Sequence, residues 1–119
     1  MQYLLMIYGD EEIWNNRTEE ENEAVSKKYG AFGKEFASAI VGANRLQTTS
    51  VATTVQVRDG KILTTDGPFA ETKEQLGGYY LVEAANLDEA VAMAAKIPGA
   101  RDGSIEVRPI MTMGVPAAQ

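Results

Sequence analysis

The residues best suited to chemistry lie close together in one loop, at positions 66–73, between two strand-like runs. The loop holds two carboxylates, a hydroxyl and an ammonium group, namely Asp66, Glu71, Thr72 and Lys73. Such a set can supply a base, an orienting group and a cation for acid–base catalysis or for binding a polar molecule. Because loops on rigid scaffolds carry function disproportionately, we take Asp66 as the candidate catalytic residue and Glu71 and Lys73 as candidate ligand-binding residues.

The same loop also has an interpretation in which it needs no ligand. Asp66 can accept hydrogen bonds from backbone amides one or two residues on, Pro68 fixes its own φ, and Phe69 turns inward as an anchor. The pattern at 72–75 predicts one turn of capped helix, and the glycine pair at 77–78 predicts a helix C-cap or a β-bulge. From the residues alone, both interpretations stay open.

Composition excludes several kinds of chemistry. The chain has no Cys and no His, which excludes disulfides, thiolate catalysis, Cys-based metal sites and the commonest general base. With 11 Lys and Arg against 17 Asp and Glu the net charge is -6, so nucleic-acid binding is not expected. The sequence contains no Walker, Rossmann or nucleophile-elbow pattern. We predict neither a cofactor nor a metal site.

The length of the chain and its N-terminal segment allow predictions of the number of domains and of the cellular location. A chain of 119 residues has the size of one domain, so we assign residues 1–119 to a single domain. The apolar run that ends at Tyr8 is too short for a signal peptide or a membrane span, and it has no basic segment before it. We interpret this run as a strand and predict a cytoplasmic protein that does not insert into membranes.

Hydrophobic patterns predict the elements that would position the loop. The pair at 59–60, Asp-Gly between two strand-like runs, is the strongest short-range signal for a β-hairpin, because a type I′ turn needs positive φ at both central residues. A capping box at 18–21 predicts the start of a helix. In order, the predicted elements are a strand at 3–8, a helix from 18 to about 42, strands at 51–57 and 62–65, a strand at 78–84, a helix at 87–97 and a strand at 104–110.

The order β-α-β-β-β-α-β predicts a ferredoxin-like α+β domain, an antiparallel sheet with two helices on one face. The strands at 3–8 and 78–84 are apolar on both sides, so the face without helices needs a cover. A second copy of the chain is the simplest cover, which predicts a homodimer that pairs sheet to sheet. The alternative is a monomer in which the face of the sheet without helices is partly exposed to solvent.

Polar residues are predicted on the face that lacks helices, opposite the Val side chains of the strand at 51–57, which are assigned to the core. They are Thr54, Gln56, Glu106 and Arg108. These polar residues lie among Tyr and Met side chains, a combination that predicts a cleft between the sheet and the second copy of the chain. The alternative is that they are ordinary solvent-exposed positions of their strands. We add Tyr8 and Arg108 to the candidate ligand-binding residues. We expect Trp14 either to staple its loop to the core or to line the mouth of the cleft.

Several segments of the chain also match the pattern of a known family. Residues 65–78 read TDGPFAETKEQLGG, and the segments at 3–10, 57–61, 86–90 and 106–109 accompany this motif. Together they resemble the DGPF family of YCII-related proteins over nearly the whole chain. The resemblance implies a ferredoxin-like fold assembled into a dimeric α/β barrel, in agreement with the strands that are apolar on both sides.

The resemblance implies less about function. Many DGPF proteins resemble partners that are encoded beside, or fused to, extracytoplasmic-function sigma factors, and their activity is generally undefined. The related YCII branch carries a His–Asp pair proposed as catalytic in a cleft by the barrel. This chain has no His, and Ile97 before Pro98 stands where that branch has Asp. The loop motif, with Asp66, is the part that carries over residue by residue.

Three hypotheses follow for function. The first is a homodimer that binds a small polar molecule in a cleft near Asp66, with no reaction assigned. The second is a non-enzymatic interaction or regulatory module linked to an extracytoplasmic-function sigma factor. The third is an enzyme that uses Asp66 as acid or base without His. A buried cleft with Asp66 and Arg108 favours the first and third, and a broad apolar patch beyond the dimer interface favours the second.

Overall fold

A computed structural model describes residues 1–112 as a mixed α+β protein with antiparallel sheets. The strands are β1 Gln2–Gly9, β2 Ile40–Arg45, β3 Thr53–Arg58, β4 Lys61–Asp66, β5 Gln75–Glu83 and β6 Ser104–Pro109. The helices are α1 Glu11–Asn15, α2 Glu19–Glu35 and α3 Leu87–Ala94, with short 3₁₀ turns at Thr49–Val51 and Pro98–Ala100. Four strands form one sheet in the order β2-β5-β1-β6, and β3 pairs only with β4.

Helix α2 begins at the predicted capping box but ends earlier than predicted. The Thr18 hydroxyl accepts a hydrogen bond from the Glu21 amide at 3.1 Å, and the Glu21 carboxylate accepts one from the Thr18 amide at 2.8 Å. The prediction that the helix continues to about residue 42 is wrong, because it ends at Glu35 and residues 40–45 form strand β2. Pairing of β2 with β5 outweighs the helical spacing there.

The hydrophobic core lies on one face of the four-stranded sheet. Every second residue of β1 is buried, so only one of its faces points to the core. That face forms a single cluster with side chains from α2 and α3, and both helices therefore cover the same side. The largest fully buried side chains are Leu5, Val82 and Ile97.

The opposite face of this sheet, called here the open face, carries no helix of the described chain. Antiparallel pairing places directly opposed residues on the same side of a sheet, so the register defines two rows across it. One row is Asn44, Tyr79, Met6 and Glu106, and the next is Gly42, Leu81, Leu4 and Arg108. The central side chains of both rows are only partly buried. The open face is thus an apolar floor with polar groups at both edges.

The predicted β-hairpin and its turn are confirmed, but the prediction that its valines face the core is wrong. Asp59 and Gly60 have φ of 52° and 74°, as a type I′ turn requires. The hairpin joins neither edge of the four-stranded sheet. Val55, Val57 and Ile62 are 60%, 58% and 74% exposed, so the valines assigned to the core face solvent in a single chain. The reason is that the hairpin extends beyond the sheet instead of stacking on it.

No helix within residues 1–112 is long and apolar enough to cross a membrane. The longest of them, α2, has 17 residues and carries charges along its length.

Candidate functional site

Asp66, the candidate catalytic residue, is the last residue of β4 and lies opposite Thr53. Its side chain is exposed, and among residues 1–112 no hydrogen bond or ion pair involves its carboxylate. The turn that follows is fixed by other groups. The Gly67 amide donates to the Ala52 carbonyl at 2.7 Å, and the Thr54 hydroxyl donates to the Gly67 carbonyl at 2.8 Å. The expected Asp66 bonds to backbone amides are therefore absent here, which leaves its carboxylate accessible.

Gly67 needs its lack of a side chain, because its φ is 99°. The segment after it does not follow the structural interpretation of the loop. Phe69 is 79% exposed and does not anchor the loop inward in a single chain. The predicted helical turn at 72–75 is also wrong: the Thr72 hydroxyl donates to the Glu74 carbonyl, and Gln75 already begins β5. Pairing of Gln75 with β1 explains this outcome, since a strand start excludes a helical turn there.

Glu71 and Lys73 lie in this segment with exposed side chains. Between residues 1 and 112 neither side chain has a hydrogen bond or an ion pair, so the candidate ligand-binding groups of the loop are accessible but not oriented.

The end of the loop is tied to the sheet by a polar network that local sequence patterns do not predict. The Ser104 hydroxyl donates to the Glu74 carboxylate at 3.0 Å, and the Glu11 amide donates to the Gln75 side chain at 3.0 Å. The Glu11 carboxylate in turn accepts from the amide and hydroxyl of Thr49, at 2.8 and 2.6 Å. These contacts join residues 30 to 64 positions apart, so no spacing rule reveals them.

Tyr8 lies at the same end of the sheet, opposite Ser104 in β6 and Leu76 in β5. The Glu74–Ser104 hydrogen bond therefore brings the end of the loop to the row that contains Tyr8. Arg108 is four residues further along β6, about 13 Å away at the usual strand rise. The structure thus brings Tyr8 to the end of the loop, at Glu74, and leaves Arg108 apart.

Arg108 pairs with Glu106 on the open face, where its Nε donates to the Glu106 carboxylate at 3.1 Å. On the other edge of the floor, the Asn44 amide donates to the Tyr79 hydroxyl at 2.8 Å. Glu106 and Arg108 are predicted on this face by the alternation of their strand, whereas Asn44 and Tyr79 are not predicted as site residues. The position of Asn44 opposite Tyr79 follows only from the pairing of β2 with β5.

Trp14 packs on the helix side of the sheet, at the end where β1 finishes and β5 begins. A register shift in the pairing of β1 with β5 leaves Gly77 as an extra residue, which confirms the β-bulge and excludes the helix cap. A Cβ on Gly77 would stand 2.6 Å from the Trp14 ring, and Gly9 lies under the same ring. The expectation that Trp14 staples its segment to the body of the protein agrees with this packing.

We expect Gly77→Ala to lower the free energy of unfolding by about 1–3 kcal/mol, the usual cost of overpacking. The added methyl group must displace the Trp14 ring, so the fluorescence of the single Trp should shift to longer wavelength. Urea unfolding followed by this emission measures both effects. Gly33→Ala is the matched control, because a Cβ there meets nothing within 4 Å and alanine favours the helix. Equal stability of Gly77→Ala and the wild type would contradict the packing described.

Displaced pKa values occur on the helix side of the sheet. Burial raises the pKa of Tyr29 and of Tyr80, which favours the protonated form of both hydroxyls. Hydrogen bonds from the Thr18 amide and hydroxyl lower the pKa of Glu21, which favours its carboxylate form in the capping box. In the part of the chain that the structure describes, no group of three or more acidic side chains is placed to hold a metal ion.

Two concave regions lie on the helix side and not at the Asp66 loop. One is an acidic recess of about 560 Å³ lined by Asp10, Glu12, Glu21 and Asp102 around Arg17. The other, called here the helix-side groove, has a volume of about 550 Å³ and lies between α2 and residues 95–102. Neither of these two regions is lined by Asp66 or Arg108.

The chain matches known proteins over most of its length. The YCII-related domain matches residues 1–114. "Uncharacterized protein R00369" of Rhizobium meliloti (strain 1021) is 39% identical over 114 residues, with 92% of this chain and 92% of that protein covered. The family match extends through the Asp66 loop, the open face and the elements that carry them. The chain belongs to the YCII-related domain family.

Proposed function

We propose that this YCII-related protein, of the DGPF type, is a homodimer that binds a small polar molecule in a cleft between two paired sheets, near the Asp66 loop. The observation that carries the proposal is the open face, an apolar floor edged by polar groups. The strand order β2-β5-β1-β6, with the hairpin inserted between β2 and β5, supports a ferredoxin-like arrangement. Two such sheets packed face to face make the dimeric α/β barrel.

Two surfaces of one chain support the pairing. Leu4, Met6 and Leu81 form the centre of the floor, and no helix of the described chain covers them. The hairpin of β3 and β4 presents its exposed valines to solvent, and an isolated two-stranded hairpin is only marginally stable in water. A second copy can cover floor and hairpin at once, because a two-fold interface uses the same surfaces on both chains.

The polar groups at the edges of the floor suit a small polar ligand. Tyr79 with Asn44 offers a hydroxyl and an amide, and Glu106 with Arg108 offers a carboxylate and a guanidinium. Excluding water from a cleft strengthens each hydrogen bond made inside it. The loop that starts at Asp66 ends at Glu74 beside the row of Tyr8, which supports a position of the loop near the mouth of such a cleft.

A thermal-shift screen against small metabolites and metal ions tests the proposal, with Asp66→Asn as the first variant. A ligand at about 100 times its dissociation constant adds about 2.7 kcal/mol of stability. We expect a hit that Asp66→Asn weakens at unchanged unliganded stability. Asp59→Asn is the matched control, because it makes the same change at the other end of the hairpin, and Asn tolerates the positive φ of 52° there.

Two results would contradict the proposal. If sedimentation at micromolar concentration shows only monomers, sheet pairing is wrong. If Asp66→Asn unfolds at a much lower temperature yet keeps every ligand, Asp66 has a structural role alone. Use of Asp66 as acid or base would further require that the assembled cleft orients its carboxylate, which is unpartnered among residues 1–112.

A second candidate is the interaction module linked to an extracytoplasmic-function sigma factor. The observation that favours it is the 79% exposure of Phe69 in a loop that the family motif includes. A large exposed aromatic residue is a common anchor of protein interfaces. A dimer that gives no hit in the ligand screen, and that binds a purified sigma factor through Phe69, would favour this candidate over the first.

A further inference from the structure

The helix-side groove has features of a second binding site, on the side of the sheet opposite the open face. Its volume of about 550 Å³ lies within the usual range for small-molecule sites. The groove runs between α2 and the segment 95–102, so it is built from elements of one chain. A site here does not depend on the dimer or on the Asp66 loop, and it therefore goes beyond the proposed function.

The groove is positively charged on a chain whose net charge is -6. Its charged lining consists of Arg17, Lys28, Lys96, Arg101, Glu35 and Asp102. Both carboxylates are already paired: Asp102 with Arg17 at 3.4 Å and Glu35 with Lys96 at 2.6 Å. Within the described residues, Lys28 and Arg101 have no ion-pair partner. Two cationic groups thus remain for an anion.

The floor of the groove is apolar and aromatic. Phe32 is 3% exposed and joins the core, while Trp14 and Val25 are half-buried beside it. Tyr29 forms part of the wall, close to Gly99, where a Cβ would stand 2.9 Å from the Tyr29 hydroxyl oxygen. The Tyr29 hydroxyl can donate a hydrogen bond to an anion, and burial, which raises its pKa, favours this protonated form further. An aromatic floor beside the unpaired cationic groups of Lys28 and Arg101 suits an amphipathic ligand, one with an apolar body and an anionic group.

We infer that the helix-side groove binds a small organic anion with an aromatic body, held by Lys28 and Arg101 over the floor formed by Trp14 and Phe32. The adjacent acidic recess would repel the same molecule, because four carboxylates line it against one Arg. The Arg17–Asp102 pair, which lines both, separates the two regions. Carboxylate, sulfonate and phosphate groups share the chemistry that this site recognises.

Anilinonaphthalene sulfonate is a suitable probe, and N-phenylnaphthylamine, which has the same aromatic body without the sulfonate, is its neutral counterpart. Trp14 is the single Trp of the chain and lines the groove, so its quenching by energy transfer to the bound probe reports binding. We expect the anionic probe to bind at least about ten-fold more tightly than the neutral one, with an affinity that falls as salt screens the charges. Inorganic sulfate alone should compete only weakly, because it lacks the aromatic body.

Charge-removing variants locate the site. Lys28→Gln and Arg101→Gln are each expected to weaken the anionic probe about five-fold, the scale of a partly exposed ion pair. The double variant should weaken it about 25-fold if the two groups act independently. Lys27→Gln is the matched control, since Lys27 precedes Lys28 on α2 and does not line the groove. Leu81→Glu, on the open face, should leave this binding unchanged.

Three outcomes would overturn the inference: no saturable binding of the anionic probe, equal affinity for the neutral probe, or equal losses in Lys27→Gln and Lys28→Gln. Loss of probe binding in Leu81→Glu alone would place the probe on the open face and also overturn it. Since Lys28 and Arg101 lie outside both the open face and the Asp66 loop, failure here leaves the proposed function standing. Circular dichroism and thermal midpoints of each variant show that the fold is kept.

Discussion

Leu81→Glu is expected to convert the proposed dimer into a monomer and to leave the fold of each chain intact. Leu81 lies at the centre of the open face, opposite Leu4 on one neighbouring strand and Gly42 on the other. In a single chain a carboxylate at this position reaches water. In a paired sheet it would be buried without a partner, and the two-fold axis would bring two such charges close together.

The expected effect is a dissociation constant at least about 100-fold higher, which corresponds to about 2.7 kcal/mol. Sedimentation velocity over a range of concentrations measures it. Leu87→Glu is the matched control, because Leu87 is 51% exposed at the start of α3, on the helix side, where an acidic residue suits the helix dipole. A Leu81→Glu protein as dimeric as the wild type would place the interface somewhere other than the open face.

Features specified by neighbouring residues were predictable from the sequence. The Asp59-Gly60 turn has the backbone that its residues require, and the capping box at Thr18 and Glu21 starts α2 as expected. In both cases residues within three positions of one another make the decisive contacts. The single helix-covered face followed from the order of the elements, because two helices of this length cover one face of an antiparallel sheet. The alternating burial of β1 agrees with it, although the residues of β1 are apolar on both faces.

Features set by distant contacts were not predictable in the same way. The helical spacing predicts a helix that continues to about residue 42, yet pairing with β5 makes residues 40–45 a strand. The segment 72–75 has a capping-box pattern, but strand pairing begins at Gln75. The valines of β3 alternate as in a half-buried strand, and they are exposed because the hairpin has no partner sheet within the described chain. Each error comes from a contact more than 30 residues away or from a surface that one chain leaves uncovered.

In the candidate site, too, local patterns were visible in the sequence and contacts between distant residues were not. The Asp66 motif was visible as a cluster of charges, whereas the network through Glu11, Thr49 and Ser104 that ties the loop to the sheet was not. Asn44 and Tyr79 became neighbours only through strand register. The groove with Lys28 and Arg101 combines residues 73 positions apart, so no local pattern in the sequence brings them together.

The second large effect is expected at adjacent residues of β1. Leu5→Ala should lower the free energy of unfolding by about 3 kcal/mol, within the usual range of 2–5 for a buried leucine, because the cavity lies in the core under α2 and α3. At roughly 4 °C per kcal/mol the thermal midpoint falls by about 12 °C. Leu4→Ala removes the same atoms from the open face, where the side chain is already partly exposed, and should cost about 1 kcal/mol or less in the separated chain.

The comparison becomes diagnostic when both variants are unfolded at two protein concentrations. Association with a second copy stabilises the folded chain by mass action, so a residue of the interface loses stability mainly at high concentration. Leu5→Ala should therefore show the same loss at both concentrations, whereas the loss in Leu4→Ala should shrink on dilution. If the two variants lose equally at high dilution, both faces of β1 are packed within one chain, and the open face would not be available to a partner or a ligand.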